Sequence, residues 1–105
     1  MRFISLGLKA KLPKEKAFYF FSSIGNYTGE SVASIEDFLE KIVRVDIKSI
    51  EFHFYRGDFE KWFAETIGDK ELAEQVGKLK NQNLPIENLR YQLRKIVSKR
   101  LESSR

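Results

Sequence analysis

His53 is the single histidine of the chain and the first residue to consider for acid–base chemistry, because imidazole titrates near neutral pH. Three carboxylates lie close to it in sequence and could orient the ring or share a metal with it: Glu51, Asp58 and Glu60. The chain has no cysteine, so thiolate metal sites and cysteine nucleophiles are excluded. One histidine with carboxylates does not make a credible catalytic set or zinc site. We therefore expect no enzyme activity, no cofactor and no metal.

A second candidate is the basic face of the last predicted helix. Its cations are spaced so that several of them point the same way: Arg90, Arg94, Lys95, Lys99 and Arg100. A helix that contacts phosphates has this pattern, and nucleic-acid binding is therefore an alternative function. No helix-turn-helix, zinc-finger or ribonucleoprotein motif accompanies it, and a solvated helix face is the more common meaning of such a pattern.

Charge and aromatic residues are unevenly distributed along the chain. The net charge of +4 divides into basic ends and an acidic middle, since residues 17–79 contain twelve acidic and seven basic side chains. Twelve of the fourteen aromatic residues lie between Phe18 and Phe63, away from the basic ends. This separation argues against a surface that stacks nucleic-acid bases. It favours an aromatic core, together with a non-enzymatic protein–protein interaction module as the leading function, whether by self-association or with a partner.

The composition is that of one small globular domain. The 105 residues are 42% hydrophobic and 32% charged, with two prolines and six glycines. No apolar run approaches the length of a membrane helix, and the N-terminus does not read as a signal peptide, so we expect a cytoplasmic protein that does not contact membranes. We divide the single domain 1–105 into a basic arm or short strand (1–16), a helical body (17–101) and a frayed tail (102–105).

Capping residues and apolar periodicity predict a mainly α fold, a compact bundle of four to five short helices with the option of a short extended N-terminal segment. The predicted helices begin near Ser34, Asp46, Asp58, Asp69 and Pro85. Residues 1–12 fit either a strand or an irregular arm. Residues 47–56 fit both helix and strand patterns, and we favour a helix. Residues 22–30 contain two glycines and small polar residues, which predict a loop.

The order of several motifs resembles a family of small prokaryotic domains of unknown function, mainly archaeal. The resemblance covers residues 17–100 and is carried by Phe18-Tyr19-Phe20, Gly25, Ser34-Ile35-Glu36-Asp37-Phe38-Leu39, Ser49-Ile50-Glu51-Phe52-His53, Asp58-Phe59 with Trp62, and Gly68-Asp69 with Leu72-Ala73. The resemblance implies that the chain is related to this family, but it implies no mechanism. It also implies a third function, an accessory domain linked to carbohydrate-active enzymes, because relatives occur near or fused to such enzymes.

The chain departs from the family pattern between His53 and Asp58, where many relatives carry a longer insertion. The resemblance sharpens one structural hypothesis, a polar–aromatic cluster of His53, Asp58 and Trp62 that joins two helices and serves structure or binding. In this hypothesis Asp58 caps the helix that carries Trp62, and His53 forms a hydrogen bond near that cap.

Overall fold

The computed structural model describes residues 11–103, and the predictions for residues 1–10 and 104–105 lie outside this part. Two antiparallel strands come first and five helices follow. The elements are β1 (Phe18–Ser23), β2 (Asn26–Val32), α1 (Ile35–Lys41), α2 (Ile47–Arg56), α3 (Asp58–Lys61, continued by a π-helix at Trp62–Ile67), α4 (Lys70–Lys78) and α5 (Ile86–Ser103). Short 3₁₀ turns occupy Lys14–Lys16 and Leu79–Gln82. The helix α5 continues through Glu102 to Ser103, so this part of the predicted frayed tail is helical.

Most helix ends lie where their capping residues predict. Ser34 accepts a hydrogen bond from the backbone N–H of Asp37 at the start of α1, and Asp46 accepts one from Lys48 at the start of α2. Gly57 and Gly68 end α2 and α3 in the left-handed conformation, with φ of +81° and +85°. The helical interpretation of residues 47–56 is therefore confirmed.

The hairpin of β1 and β2 was not predicted, and the assignment of residues 22–30 to a loop is wrong. The strands join through a tight turn at Ile24-Gly25, and Gly25 has a φ of +83°. Phe18 and Phe20 face the core while Tyr19 between them is exposed, which is the alternation of a half-buried strand. Tyr19 is aromatic, so this alternation does not show in hydrophobicity. The fold is mainly helical, but the prediction of an all-helical body is wrong.

A single cluster of buried apolar side chains joins the hairpin to the helices. Phe20, Phe38 and Phe59 are fully buried near its centre, contributed by β1, α1 and α3. The helix α5 covers this cluster with an aliphatic stripe, of which Leu89, Leu93, Val97 and Leu101 are buried. The cluster therefore fixes the hairpin, α2 and α3 relative to one another. Within residues 11–103, no helix is both long and apolar enough to cross a membrane.

Candidate functional site

His53 lies on the buried face of α2, where it joins this helix to both β1 and α3. Its side chain is 6% exposed. The backbone N–H of Phe21 donates to Nε2 at 2.8 Å, and Nδ1 lies 2.8 Å from Oδ2 of Asp58. Nε2 must therefore carry a lone pair and Nδ1 the proton, which defines one neutral tautomer. Burial lowers the pKa of His53 below its usual value, although the hydrogen bond to Asp58 acts in the opposite direction.

Asp58 is the first residue of α3 and not its cap, so the predicted capping role is wrong. Gly57 occupies the capping position, and no side chain caps this helix. Oδ2 of Asp58 instead accepts hydrogen bonds from Nδ1 of His53 and, at 3.0 Å, from Nε of Arg56. The guanidinium of Arg56 also lies 4.9 Å from the centre of the Phe52 ring. The carboxylate of Asp58 thus orients the side chains of His53 and Arg56 and does not cap a helix.

Trp62 reaches the same cluster from the first turn of the π-helix. Its indole N–H donates to the carbonyl oxygen of Lys16 at 2.9 Å. The ring of Phe18 lies between Trp62 and His53, with centroid distances of 5.6 Å and 4.8 Å. The structure therefore brings the three predicted residues together, with a direct contact between His53 and Asp58 and an indirect one to Trp62 through Phe18.

These residues line an open groove of about 470 Å³ between the hairpin and the helices α2 and α3. Five of its fourteen lining residues are phenylalanine, tyrosine or tryptophan, and seven are charged or polar. The lining residues are Ala17, Phe18, Tyr19, Phe21, Ser23, Ile24, Phe52, His53, Arg56, Asp58, Lys61, Trp62, Glu65 and Thr66. Sequence reasoning missed the hairpin side of the groove, and recognition of Ile24-Gly25 as a hairpin turn would have indicated it. We call this site the aromatic groove.

The π-helix shapes one wall of the aromatic groove. Trp62, Glu65 and Thr66 lie on this wider turn, which closes with a hydrogen bond from the N–H of Asp69 to the carbonyl of Phe63 at 2.9 Å. π-helical turns are rare and frequently occur at functional sites. The position of this turn at the groove is therefore an indication that the groove has a function.

The predicted basic face of α5 is divided by the structure. Arg90 donates to the carbonyl oxygens of Ile42 and Val45 at 2.9 and 2.8 Å. It therefore provides hydrogen bonds to carbonyl groups at the end of α1 and in the turn that follows. Arg100 pairs with Asp69. The other three cations, Arg94, Lys95 and Lys99, are exposed to solvent.

Asp69 is 1% exposed and its carboxylate has two roles. Oδ1 accepts a hydrogen bond from the N–H of Leu72 and so caps α4, as predicted. Arg100 contacts both carboxylate oxygens, at 2.7 and 3.1 Å, and this contact raises the pKa of Arg100. Arg100 is therefore committed to the fold and not available to a ligand.

No three His, Asp or Glu side chains within residues 11–103 are grouped so that they could hold a metal ion. The geometry defines a small, mainly helical domain with an open aromatic groove beside a hydrogen-bonded histidine. The chain belongs to a family of unknown function, DUF5752, whose model matches residues 14–105. This match confirms the resemblance to a domain of unknown function. Comparison with curated proteins and with solved structures found no match.

Proposed function

We propose that this chain is a non-enzymatic protein-interaction module, and that the aromatic groove binds an extended segment of a partner protein through an apolar side chain. The observation that carries the proposal is the continuity between the groove and exposed apolar side chains of the hairpin. Tyr19, Ile24 and Tyr27 are exposed by 38%, 82% and 49%, and the first two also line the groove. Exposed apolar surface that continues into a concave site is typical of interaction sites.

The state of His53 supports binding over catalysis. A general base needs a lone pair that faces the substrate, and the lone pair of Nε2 already accepts the N–H of Phe21. The proton on Nδ1 is directed at Asp58. Both nitrogens therefore serve the joint between the hairpin and the helices, and neither has a free position for a substrate.

The size and composition of the groove support a peptide segment as occupant. Its volume of about 470 Å³ lies within the range of about 300–1,000 Å³ that is usual for ligand-binding clefts. Lys61 and Glu65 at its edge offer one charge of each sign to the backbone or side chains that flank an apolar anchor. Aromatic side chains are enriched in the energetically dominant parts of protein interfaces.

Trp62 provides a direct test, because it is the single tryptophan and lines the groove. Peptides selected from a random library on the purified protein should share an aromatic or aliphatic anchor and should change the fluorescence of Trp62. Ile24→Asp should weaken their binding at least tenfold. Val43→Asp, a change at a 51% exposed aliphatic residue of the turn after α1, serves as the matched control and should have little effect.

Three outcomes would contradict the proposal: selected peptides that leave Trp62 unchanged, equal effects of the two variants, or no selected peptides. If the protein self-associates as its concentration rises and Ile24→Asp abolishes this, the aromatic groove would still be the binding surface. Its occupant would then be a second copy of the chain. An accessory role beside carbohydrate-active enzymes stays a prediction. An oligosaccharide that changes Trp62 fluorescence and displaces the peptides would favour that role.

A further inference from the structure

A second groove, of about 560 Å³, lies between α4 and α5 and carries an excess of positive charge. Its lining includes four basic side chains (Lys78, Lys95, Lys99 and Arg100), one carboxylate (Glu71), three glutamine amides and the hydroxyl of Ser103. None of the lining side chains is aromatic. We call it the cationic groove, and its composition contrasts with that of the aromatic groove.

Three of the four cations have no carboxylate partner. The one acidic lining residue, Glu71, lies 3.3 Å from the guanidinium of Arg100, which also pairs with Asp69. No ion pair within residues 11–103 includes Lys78, Lys95 or Lys99. The local potential of the groove is therefore positive, and an anionic partner would gain attraction there without breaking an internal ion pair.

The spacing of the three lysines suits a chain of phosphates. Lys95 and Lys99 lie four residues apart on α5, so they share one face about 6 Å apart along the helix axis. Lys78 stands across the groove at the end of α4. Ammonium groups on both sides of a groove can contact successive phosphates of one backbone.

The composition of the lining also favours nucleic acid over an acidic protein surface as the anionic partner. Lysine, glutamine and serine side chains are common donors to phosphate oxygens. Protein–protein interfaces are instead depleted in lysine and serine and enriched in aromatic residues. The groove lining holds no aromatic ring that could stack on bases, and the one ring among residues 11–103 that lies near its lysines is that of Tyr91, whose centre lies 6.0 Å from Nζ of Lys95. A single ring does not form a row of stacking platforms, so single-strand recognition by stacking is disfavoured.

We propose that the cationic groove binds the sugar–phosphate backbone of duplex nucleic acid, without sequence preference, through Lys78, Lys95 and Lys99. The proposed binding residues differ from the basic face that the sequence indicates. Arg90 and Arg100 are not among them, because both are bound within the fold, and Lys78 is added from another helix. Arg94 does not line the cationic groove: it lines one depression with the acidic residues Glu36, Asp37 and Glu40 of α1 and another with Lys95 and Lys99. The site is independent of the aromatic groove and of its proposed peptide partner.

The experiment is a titration of the full chain against a fluorescently labelled 20-base-pair duplex, as DNA and as RNA, followed by anisotropy. Three phosphate contacts predict a slope of log affinity against log salt of about −2.7, which is roughly a 40-fold loss between 50 and 200 mM salt. The triple variant Lys78→Gln/Lys95→Gln/Lys99→Gln should lose most of the binding and most of this slope. The single change Arg94→Gln should weaken binding less than Lys78→Gln.

The matched control is Lys14→Gln/Lys48→Gln/Lys70→Gln, which removes the same net charge from exposed lysines outside both grooves. Circular dichroism of both triple variants verifies that they are folded. Retention of binding in the control and its loss in the groove variant would support the proposal. Equal losses in both variants, no binding at 50 mM salt, or tighter binding of poly-glutamate than of the duplex would overturn it.

Discussion

At the scale of single residues, His53 is the most informative side chain because its two nitrogens have opposite roles. Nε2 accepts the N–H of Phe21, so a proton added there would face another N–H group and remove this hydrogen bond. Asp58 accepts the proton of Nδ1 in a hydrogen bond, and its carboxylate favours the protonated ring, so it acts against the lowering of the pKa of His53 by burial. The groups charged at neutral pH that act on the ring are Asp58 and Arg56. The aromatic rings with centroids within 6.4 Å of it are those of Phe18, Phe20, Phe21, Phe52 and Phe59.

The first prediction concerns the pH dependence of stability. Burial lowers the pKa of His53 in the folded chain, so the unfolded chain binds the proton more readily. The stabilisation is therefore present above the usual pKa of 6.5 and is lost as pH falls from there toward the lower pKa of the folded chain. Urea unfolding at pH 7.5, 6 and 5 should show a declining free energy of unfolding.

The variant His53→Gln isolates the contribution of the imidazole from that of the carboxylates. At pH 7.5 it should be less stable by about 1–3 kcal/mol, because it disrupts buried hydrogen bonds. The difference between the two proteins should become smaller as pH falls, since the variant has no imidazole to protonate. A difference that stays constant or grows between pH 7.5 and pH 5 would contradict this account of His53.

At the scale of elements, the helices were predictable and the hairpin was not. The helices carry local signals that act within a few residues, such as Ser34 with Asp37 and Asp69 with Leu72. The strand β2 is largely polar and exposed, so its pairing is set by Val32 at one end and by contacts with distant residues. Such contacts have no local signature, so the turn at Ile24-Gly25 is the local signal from which the hairpin and its groove wall could have been inferred.

The second prediction concerns the ion pair that joins α4 to α5. Asp69 is buried, and Arg100→Ala would leave its carboxylate without a cation in a poorly solvated position. Loss of one partner of a buried pair destabilises proteins strongly, so we expect a cost of about 3 kcal/mol in the free energy of unfolding. Urea denaturation measures it.

Arg94→Ala is the matched control for this ion pair, because Arg94 lies on the same helix and is exposed. A substitution at such a surface position should change stability by no more than about 0.5 kcal/mol. Both variants replace an arginine of α5 by alanine, so the changes in helix propensity and in net charge are the same in both and cancel in the comparison. Equal effects of both substitutions would mean that the pair with Asp69 does not stabilise the joint between α4 and α5.

At the scale of the whole molecule, the charge pattern of the sequence has a structural explanation in part. The basic C-terminal region meets the acidic middle through Arg100 with Asp69 and through Lys80 with Glu60, at 2.7 and 2.6 Å. Ion pairs within the chain therefore account for some of the segregated charge. Among the cations of α4 and α5 that these ion pairs leave out, Lys78, Lys95 and Lys99 line the cationic groove, and only the tertiary arrangement of the two helices brings them together.

The last prediction concerns cooperativity. The aromatic side chains around Trp62 and the aliphatic stripe of α5 belong to one buried cluster, so neither half of the chain has a core of its own. Unfolding should then be a single transition, as is usual for domains of this size. Trp62 fluorescence reports on the groove side and far-ultraviolet circular dichroism on the helices, and their urea midpoints should coincide. A fluorescence midpoint at lower urea would show that the hairpin and its groove open before α5, and the aromatic groove would then be a separable unit and not a rigid surface.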